Sequence, residues 1–391
     1  MTGIYSRMPL SCPSDASRDP GQVEIRPEMS EGRRVMVAMS GGVDSSVAAF
    51  LLGDAGYDCT GVTMKLFGNE SVGIDDNSAC CSARDADDAR GVTRRLGIPH
   101  FVFNLSRDFM ERVIARFVEA YECGLTPNPC IDCNRFIKFD KLLSRARETC
   151  HGLIATGHYA RTEFDAERGR FVLKKARDET KDQSYVLYSM TQEQLSRTLF
   201  PLGEMKKTDV RQVALSLGLS NAWKKESQDI CFVPDGDYAG FIERHRGSPC
   251  PPGCFVDEAG KILGRHRGII RYTVGQRRRL GLPFSHEFYV CRKNAADGTV
   301  TLGDDRSLYS RVLIAEDVNL ISTERIPGRM RVEARIRYRQ RLRPAVAEQI
   351  SDDAIRVEFD EPQRAVAPGQ AVVMYDGDIV LGGGTIRRSF D

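Results

Sequence analysis

Three cysteines and one serine–glycine loop carry most of the reactive chemistry in this sequence. Cys130 and Cys133 form a C-x-x-C pair inside TPNPCIDCN, where Pro127 and Pro129 stiffen the turn, and Cys231 stands far downstream in ESQDICFV. A lone C-x-x-C reads as a redox pair, as half of a zinc site, or as chance. A closed zinc site needs four ligands, commonly two such pairs, and only CPPGC (Cys250 and Cys254) loosely imitates a second one. Of the remaining cysteines, Cys59, Cys123 and Cys150 lie in or beside apolar elements and are expected as small core residues. Cys80 and Cys81 fall in a polar loop.

The second reactive feature is Ser40, Gly41, Gly42, Val43, Asp44, Ser45 and Ser46, which join the apolar run VMVAM (35–39) to a helical pattern without a spacer. Adjacent glycines let backbone N–H groups turn inward, and a helix N-terminus adds partial positive charge, so such a loop can seat an anion. It is not a Walker A loop, because no lysine follows at the required place. It also lacks the three-glycine dinucleotide fingerprint. An ordinary glycine-rich βα turn would share the glycines; the strand and helix signals on either side favour the phosphate seat.

The elements that must position these groups follow from hydrophobic period. VMVAM, CTGVTMKLF (59–67), HFVFNL and GLIATGHYA (152–160) read as strands. Between them SVAAFLLGDAG, residues 83–96, FMERVIARFVEAY and RFIKFDKLLSRARET read as helices. This alternation from 34 to 160 predicts an α/β fold with an open, doubly wound parallel sheet, whose ligands sit beyond the strand carboxyl ends. Residues 182–220 turn helical. After about 240, short β-branched runs such as GIIRYTV, EFYVCR, GTVTLG, RMRVEARIRY, QAVVMYD and IVLGGGTI predict two small β domains, the last a β-barrel. The expected division is a tail over 1–32, a catalytic domain over 33–240, a central β domain over 241–310 and a C-terminal barrel over 311–391. The tail has no hydrophobic period and reads as disordered.

Charge is nearly balanced, at +2 net, but it is clustered. RMRVEARIRYRQRLR (329–343) holds seven arginines around Tyr338, and RHRGIIRYTVGQRRR (265–279) holds six around Tyr272. Arginine forks bind phosphate and aromatic rings stack on unstacked bases, so these clusters suggest RNA. Strand alternation would place Arg331, Arg335, Arg337, Arg339, Arg341 and Arg343 on one face, with MKKTDVR and WKKE adding lysines. His100, His151, His245, His266 and His286 show no ligand spacing. No run approaches the roughly 18 apolar residues that cross a bilayer. The chain is therefore expected to be soluble, cytoplasmic and reduced, with no membrane partner.

SGGVDSS resembles the pyrophosphate-binding loop of N-type ATP pyrophosphatases. Together with TPNPCIDCN and KFD, ATGHYAR, KDQSYVLY, ESQDICFV, YTVGQRRRLG and RYRQ in this order, it is similar to the tRNA-specific 2-thiouridylases of the MnmA type, in their C-x-x-C form. The likeness runs from about residue 34 to the C-terminus. It implies a nucleotide site of Ala38, Met39, Ser40, Gly41, Gly42, Val43, Asp44, Ser45, Met64 and Gly157, with ATP and Mg2+ as cofactors. It implies Cys133 as nucleophile and Cys231 as persulfide carrier, with locally lowered thiol pKa values. Lys181, Asp182, Gln183, Arg337 and Tyr338 would touch tRNA, and His158 and Gln370 would complete the contacts. Some relatives carry aspartate, a candidate general base, where Cys130 stands. In others Cys130, Cys133 and Cys231 hold an iron–sulfur cluster, so persulfide relay and cluster both remain open. The implied partners are tRNA and a persulfide donor such as a cysteine desulfurase or relay protein. Two other activities fit parts of the pattern: adenylation of another substrate, and non-catalytic RNA binding with redox sensing.

Overall fold

The computed structural model describes residues 34–68, 83–224, 230–282 and 287–391. The expected tail and Cys12, Cys80, Cys81 and His286 lie outside those residues. β1 (Arg34–Ala38) buries Val35, Met36 and Val37 on both faces, as a central parallel strand must. It pairs in parallel with β2 (Asp58–Lys65) on one side and β4 (Leu153–Ala155) on the other. β3 (His100–Asn104) extends the first side. With β7 (Thr198–Leu199) at the far edge, the order β3-β2-β1-β4-β7 reverses direction between β1 and β4, which opens a crevice at their carboxyl ends. α1 (Val43–Asp54) and α2 (Ala83–Leu96) pack on this sheet.

Two long helical segments follow the third strand, over residues 106–122 and 129–148. Each contains π-helical turns, Met110–Ile114 in the first and Cys133–Lys141 in the second. Their apolar faces meet in a core where Phe117 packs on Phe232 and Phe241. Part of the stretch expected to be helical, 182–220, is a strand: β7 (Thr198–Leu199) pairs with β4 and completes the sheet. Cys59 is buried as expected, but Cys123 and Cys150 are exposed. Each falls just past a helix end, where the chain turns outward; Cys150 adopts φ 58° there.

The middle domain is a four-stranded sheet of β8 (Gly253–Val256), β9 (Ile262–His266), β10 (Tyr289–Asn294) and β11 (Thr299–Gly303), in the order β10-β11-β8-β9. GIIRYTV is not a strand in it. Gly268 (φ 128°) turns the chain into a short 3-10 turn, Ile269–Arg271, whose isoleucines pack into the core shared with the long helices. In the C-terminal domain β12 (Tyr309–Leu320), β15 (Ala354–Arg364), β14 (Arg343–Ser351), β13 (Arg329–Arg335), β16 (Ala371–Asp376) and β17 (Ile379–Phe390) follow one another, and a β12–β17 pairing closes the barrel. Closure depends on Gly382 (φ 151°), where a Cβ would sit 2.3 Å from the Asn319 carbonyl oxygen. A hairpin from the first domain, β5 (Arg161–Asp165) and β6 (Arg170–Lys174), adds to the barrel's outer edge at β17.

The single arginine face does not form. β13 ends at Arg335, residues 336–342 make a turn, and Arg343 starts β14. Arg331 is exposed and paired with Asp360. Arg335 is only 9% exposed because the first domain covers the barrel wall there. Its guanidinium donates to Asp182 at 2.8 Å and to the Tyr375 hydroxyl at 2.8 Å, between the rings of Tyr185 and Tyr375. Asp182 Oδ1 accepts from the Ala176 and Ser184 amides. Removing one member of a buried pair strands the other charge and costs roughly 3–5 kcal/mol. Asp182→Ala should therefore lower the chemical-denaturation midpoint markedly, and Arg331→Ala should leave it near the wild-type value.

Candidate active site

The Ser40–Ser46 loop is built from its rear. Met39 N–H donates to the Val62 carbonyl at 2.8 Å, which fixes where the loop leaves β1. Gly41 (φ 68°) lies against α2 so closely that a Cβ would be 2.5 Å from the Asp85 carbonyl. Asn221 donates its amide to the Gly41 carbonyl at 3.0 Å and to Ser46 Oγ at 2.9 Å. Ser40 N–H donates to Ser45 Oγ at 3.2 Å, closing the loop on itself. The N-terminus of α1, with its unpaired N–H groups and partial positive charge, is thereby aimed into the crevice. Gly157, just past β4, is required where the two loops meet: its Cβ would stand 2.8 Å from the Ser45 nitrogen.

Two lysines attend this loop, and both had read as RNA-surface charge. Lys207, which is 7% exposed, reaches the Asp44 carboxylate at 2.6 and 2.7 Å, and the Tyr159 hydroxyl donates to the same carboxylate at 2.8 Å. Lys224 pairs with Asp85 at 2.6 Å and Asp88 at 2.7 Å. Nothing in the local spacing of MKKTDVR or WKKE signals these contacts, because their partners lie far away in sequence.

The cysteine pair sits on the second long helical segment. Asn128 caps it, accepting from the Cys130 amide at 3.1 Å, and Pro129 occupies the first helical position, where a missing N–H costs nothing. Cys133 opens the π-helical stretch, a widened geometry frequent at functional sites. Its thiol is buried, and burial pushes its pKa up to about 11 against the opposing charge of Lys138. Burial raises Cys130 as well. The lowering expected at Cys133 is thus absent: desolvation of the thiolate outweighs the one nearby cation. His158 is buried too and donates to or accepts from Thr156 at 2.8 Å; desolvation holds its imidazole well below the usual range, hence neutral at pH 7.

One cavity of about 1270 Å³ collects these groups. Ala38, Met39, Ser40, Gly42, Val43, Asp44 and Ser45 line one end with Met64 and Gly157, whereas Gly41 faces α2. Cys130, Cys133 and Cys231 line the same cavity, with His158, Lys181, Asp182 and Gln183. None of the nine described cysteines is in a disulfide. Among the described residues no three Cys, His, Asp or Glu side chains are grouped to share a metal ion. Arg337 and Gln370 line a second cavity of about 500 Å³, and Tyr338 and Arg339 form the wall between the two. Arg337 donates to the Ala365 carbonyl at 2.8 Å, and Gln370 to the Thr126 carbonyl at 2.7 Å. Asp182 belongs to the cavity wall, but its carboxylate is committed to Arg335 and Ser184.

Gly157→Ala should lower ATP affinity about tenfold or more, since an inserted methyl without room costs roughly 1–3 kcal/mol. Isothermal titration with a non-hydrolysable ATP analogue measures this. Because the thiolate is the reacting form, alkylation of Cys133 should accelerate about tenfold per pH unit across pH 7–10, short of its pKa. A rate that levels off near pH 8 would mean the thiol is not desolvated.

Comparison with known proteins bears on this arrangement along its whole length. A family model described as the tRNA methyl transferase HUP domain matches residues 33–235. Models of a PRC-barrel domain and an aminomethyltransferase beta-barrel domain match residues 239–304 and 310–386. The tRNA-specific 2-thiouridylase MnmA of Clostridioides difficile is 47% identical, covering 92% of this chain and 100% of that one. The corresponding protein of Acetivibrio thermocellus is 49% identical over 91% of this chain and 99% of its own. Among the described residues no helix is long and apolar enough to cross a membrane. A phosphate loop at a sheet switch point, three cysteines in the same cavity and near-complete coverage at this identity agree: the chain belongs to the tRNA-specific 2-thiouridylase family.

Proposed function

We propose that the protein is a cytoplasmic sulfurtransferase that uses ATP to replace the C2 oxygen of the tRNA wobble uridine with sulfur. The observation that carries this reading is the shared cavity, in which an anion-seating loop and three cysteines face one another. Adenylating chemistry needs the first and sulfur delivery the second. The domain descriptions speak of methyl transfer, which uses neither an ATP-splitting loop nor a thiol pair; the names of the curated relatives fit the cavity better.

ATP lies with its pyrophosphate end on Ser40–Ser45, against the N–H groups that begin α1. Magnesium would neutralise the phosphates there, and Asp44 is the carboxylate beside the loop that suits it, with Lys207 as its present partner. The uridine is turned out of the RNA stack into the cavity, between Tyr338 and the cysteine helix. Its C2 oxygen attacks the α-phosphorus, the bond to pyrophosphate breaks, and C2 now carries AMP as a leaving group. Neutral His158 lines the cavity as a hydrogen-bonding group without adding charge.

A desulfurase or relay protein loads Cys231 as a persulfide. Its terminal sulfur attacks C2, and AMP departs with the C2–O bonding pair. The Cys133 thiolate then attacks the Cys231 sulfur; the persulfide S–S bond breaks, its electrons pass to the sulfur on C2, and a Cys133–Cys231 disulfide remains. An external thiol reduces that disulfide before the next cycle. Among the described residues Cys130, Cys133 and Cys231 are not grouped closely enough to share a metal ion, which favours the relay over an iron–sulfur cluster.

The test is pyrophosphate release with and without tRNA. Wild type should release it only with tRNA, and Asp44→Ala should release none while still binding tRNA. Cys231→Ser should release pyrophosphate yet leave the tRNA unthiolated, and Cys130→Ser should retain some thiolation. A brown protein that loses activity with its iron, and in which Cys130→Ser is as inactive as Cys133→Ser, would overturn the relay. Release without tRNA would point to another substrate, and no release at all to an RNA-binding protein without catalysis.

A further inference from the structure

The segment that leads into the cysteine pair is gripped by both β domains at adjacent residues. The first long helical segment ends at Glu122, and two residues on, a Cβ added at Gly124 (φ 74°) would stand 3.4 Å from Lys293 Cβ and from Ile269 Cδ1 of the middle domain. The next carbonyl, Leu125 O, accepts from Lys293 Nζ at 3.2 Å. The same ammonium donates to the Tyr272 carbonyl at 2.8 Å and lies 5.7 Å from the centre of the Tyr121 ring. One residue further, Thr126 N–H donates to the Pro368 carbonyl at 2.8 Å, and Thr126 O accepts from Gln370 Nε2 at 2.7 Å. Gly369 (φ 91°) makes this approach possible, since a Cβ there would stand 2.8 Å from the Thr126 nitrogen. Two residues on, Asn128 caps the helix that carries Cys130 and Cys133.

Lys293 is an expensive residue at such a place. It is held by carbonyls and a ring face, and burial alone pulls its ammonium down to about 7. Packing would be served as well by methionine. What the amine adds is a pair of donors that draw the Leu125 and Tyr272 carbonyls to one point. Gln370 makes the matching link from the barrel, and it also lines the second cavity beside Arg337 and Tyr338. In the wall of that cavity Thr126 Oγ1 is buried without a hydrogen-bond partner. A group filling the cavity would thus meet the segment that sets the cysteine helix.

We propose that residues 124–126 are the joint through which the two β domains set the position of Cys130 and Cys133, and that Lys293 and Gln370 are positioning residues for sulfur transfer. The proposal rests on the sulfur-transfer reading above. RNA seated in the second cavity would bear on Gln370 and Thr126, and so tighten the cysteine helix when substrate is present.

The test uses the full chain as Lys293→Met, Gln370→Leu and the double variant beside wild type. Three rates are followed: tRNA-dependent pyrophosphate release, single-turnover sulfur transfer from persulfide-loaded protein, and amide exchange at residues 125–128. Lys293→Met should slow sulfur transfer about tenfold or more, the scale of a small misplacement of reacting atoms, with pyrophosphate release within twofold of wild type. Both single variants should speed amide exchange at 125–128. The double variant should lose little beyond the worse single one, as expected for two groups acting on one segment. Unchanged sulfur transfer in Lys293→Met overturns the proposal. So does an equal fall of pyrophosphate release and sulfur transfer together with the melting temperature, which is the mark of a merely structural lysine. A Gln370→Leu protein with wild-type exchange at 125–128 also overturns it. Failure of the functional reading would appear separately, as wild type that releases no pyrophosphate or thiolates no tRNA.

Discussion

The buried pair of Asp182 and Arg335 sets the geometry on which the active cavity depends. Arg335 ends the barrel strand from which residues 336–342 turn into the cavity, and Asp182 lies in the first domain between Lys181 and Gln183. Their 2.8 Å contact, with Tyr375 and Ser184 filling the remaining hydrogen bonds, fixes the two walls relative to each other. Hydrophobic packing alone would allow those walls to slide, because apolar contact is not directional. A desolvated, fully hydrogen-bonded charge pair allows one arrangement. The hairpin β5–β6, paired to β17, acts in the same sense at the barrel's outer edge.

Desolvation of buried groups in the cavity wall is the second constraint, and it cuts both ways. An adenylated base is an electrophile that water would destroy, so a cavity that excludes water protects it. The same desolvation raises the Cys133 thiol to about 11 and keeps His158 neutral. The Cys133 thiol is therefore mostly protonated at neutral pH. In the proposed relay, sulfur enters as a persulfide, and the thiolate is needed only once the persulfide is in place. Lys138, whose charge opposes the effect of burial at both Cys130 and Cys133, is the cation beside the pair.

Local signals in the sequence were reliable where a short stretch decides its own structure. The strand–loop–helix around Ser40–Ser46 and the 83–96 helix read correctly because their causes lie within a few residues, whereas TPNPCIDCN, read as a turn, starts a helix at Pro129 with Asn128 as its cap. What escaped was decided at a distance. Lys207 and Lys224 looked like surface charge until the fold brought Asp44, Asp85 and Asp88 to them. The arginine stretch at 329–343 carries a strand's alternation, yet the first domain buries Arg335 and a turn ends the strand there. GIIRYTV has strand composition, but its isoleucines answer to a helical core next door. Lys293 gave no sign at all, since its partners are main-chain carbonyls, which leave no trace in composition.

The central claim is that Cys133 and Cys231 act together on a base activated within the same cavity. It is tested most directly by stopping a single turnover, without added reductant, and mapping thiols by alkylation and peptide mass. The account predicts a Cys133–Cys231 disulfide formed in step with thiolated tRNA, mole for mole, and absent when ATP is withheld. Thiolated tRNA appearing while both cysteines remain open to alkylation would contradict it.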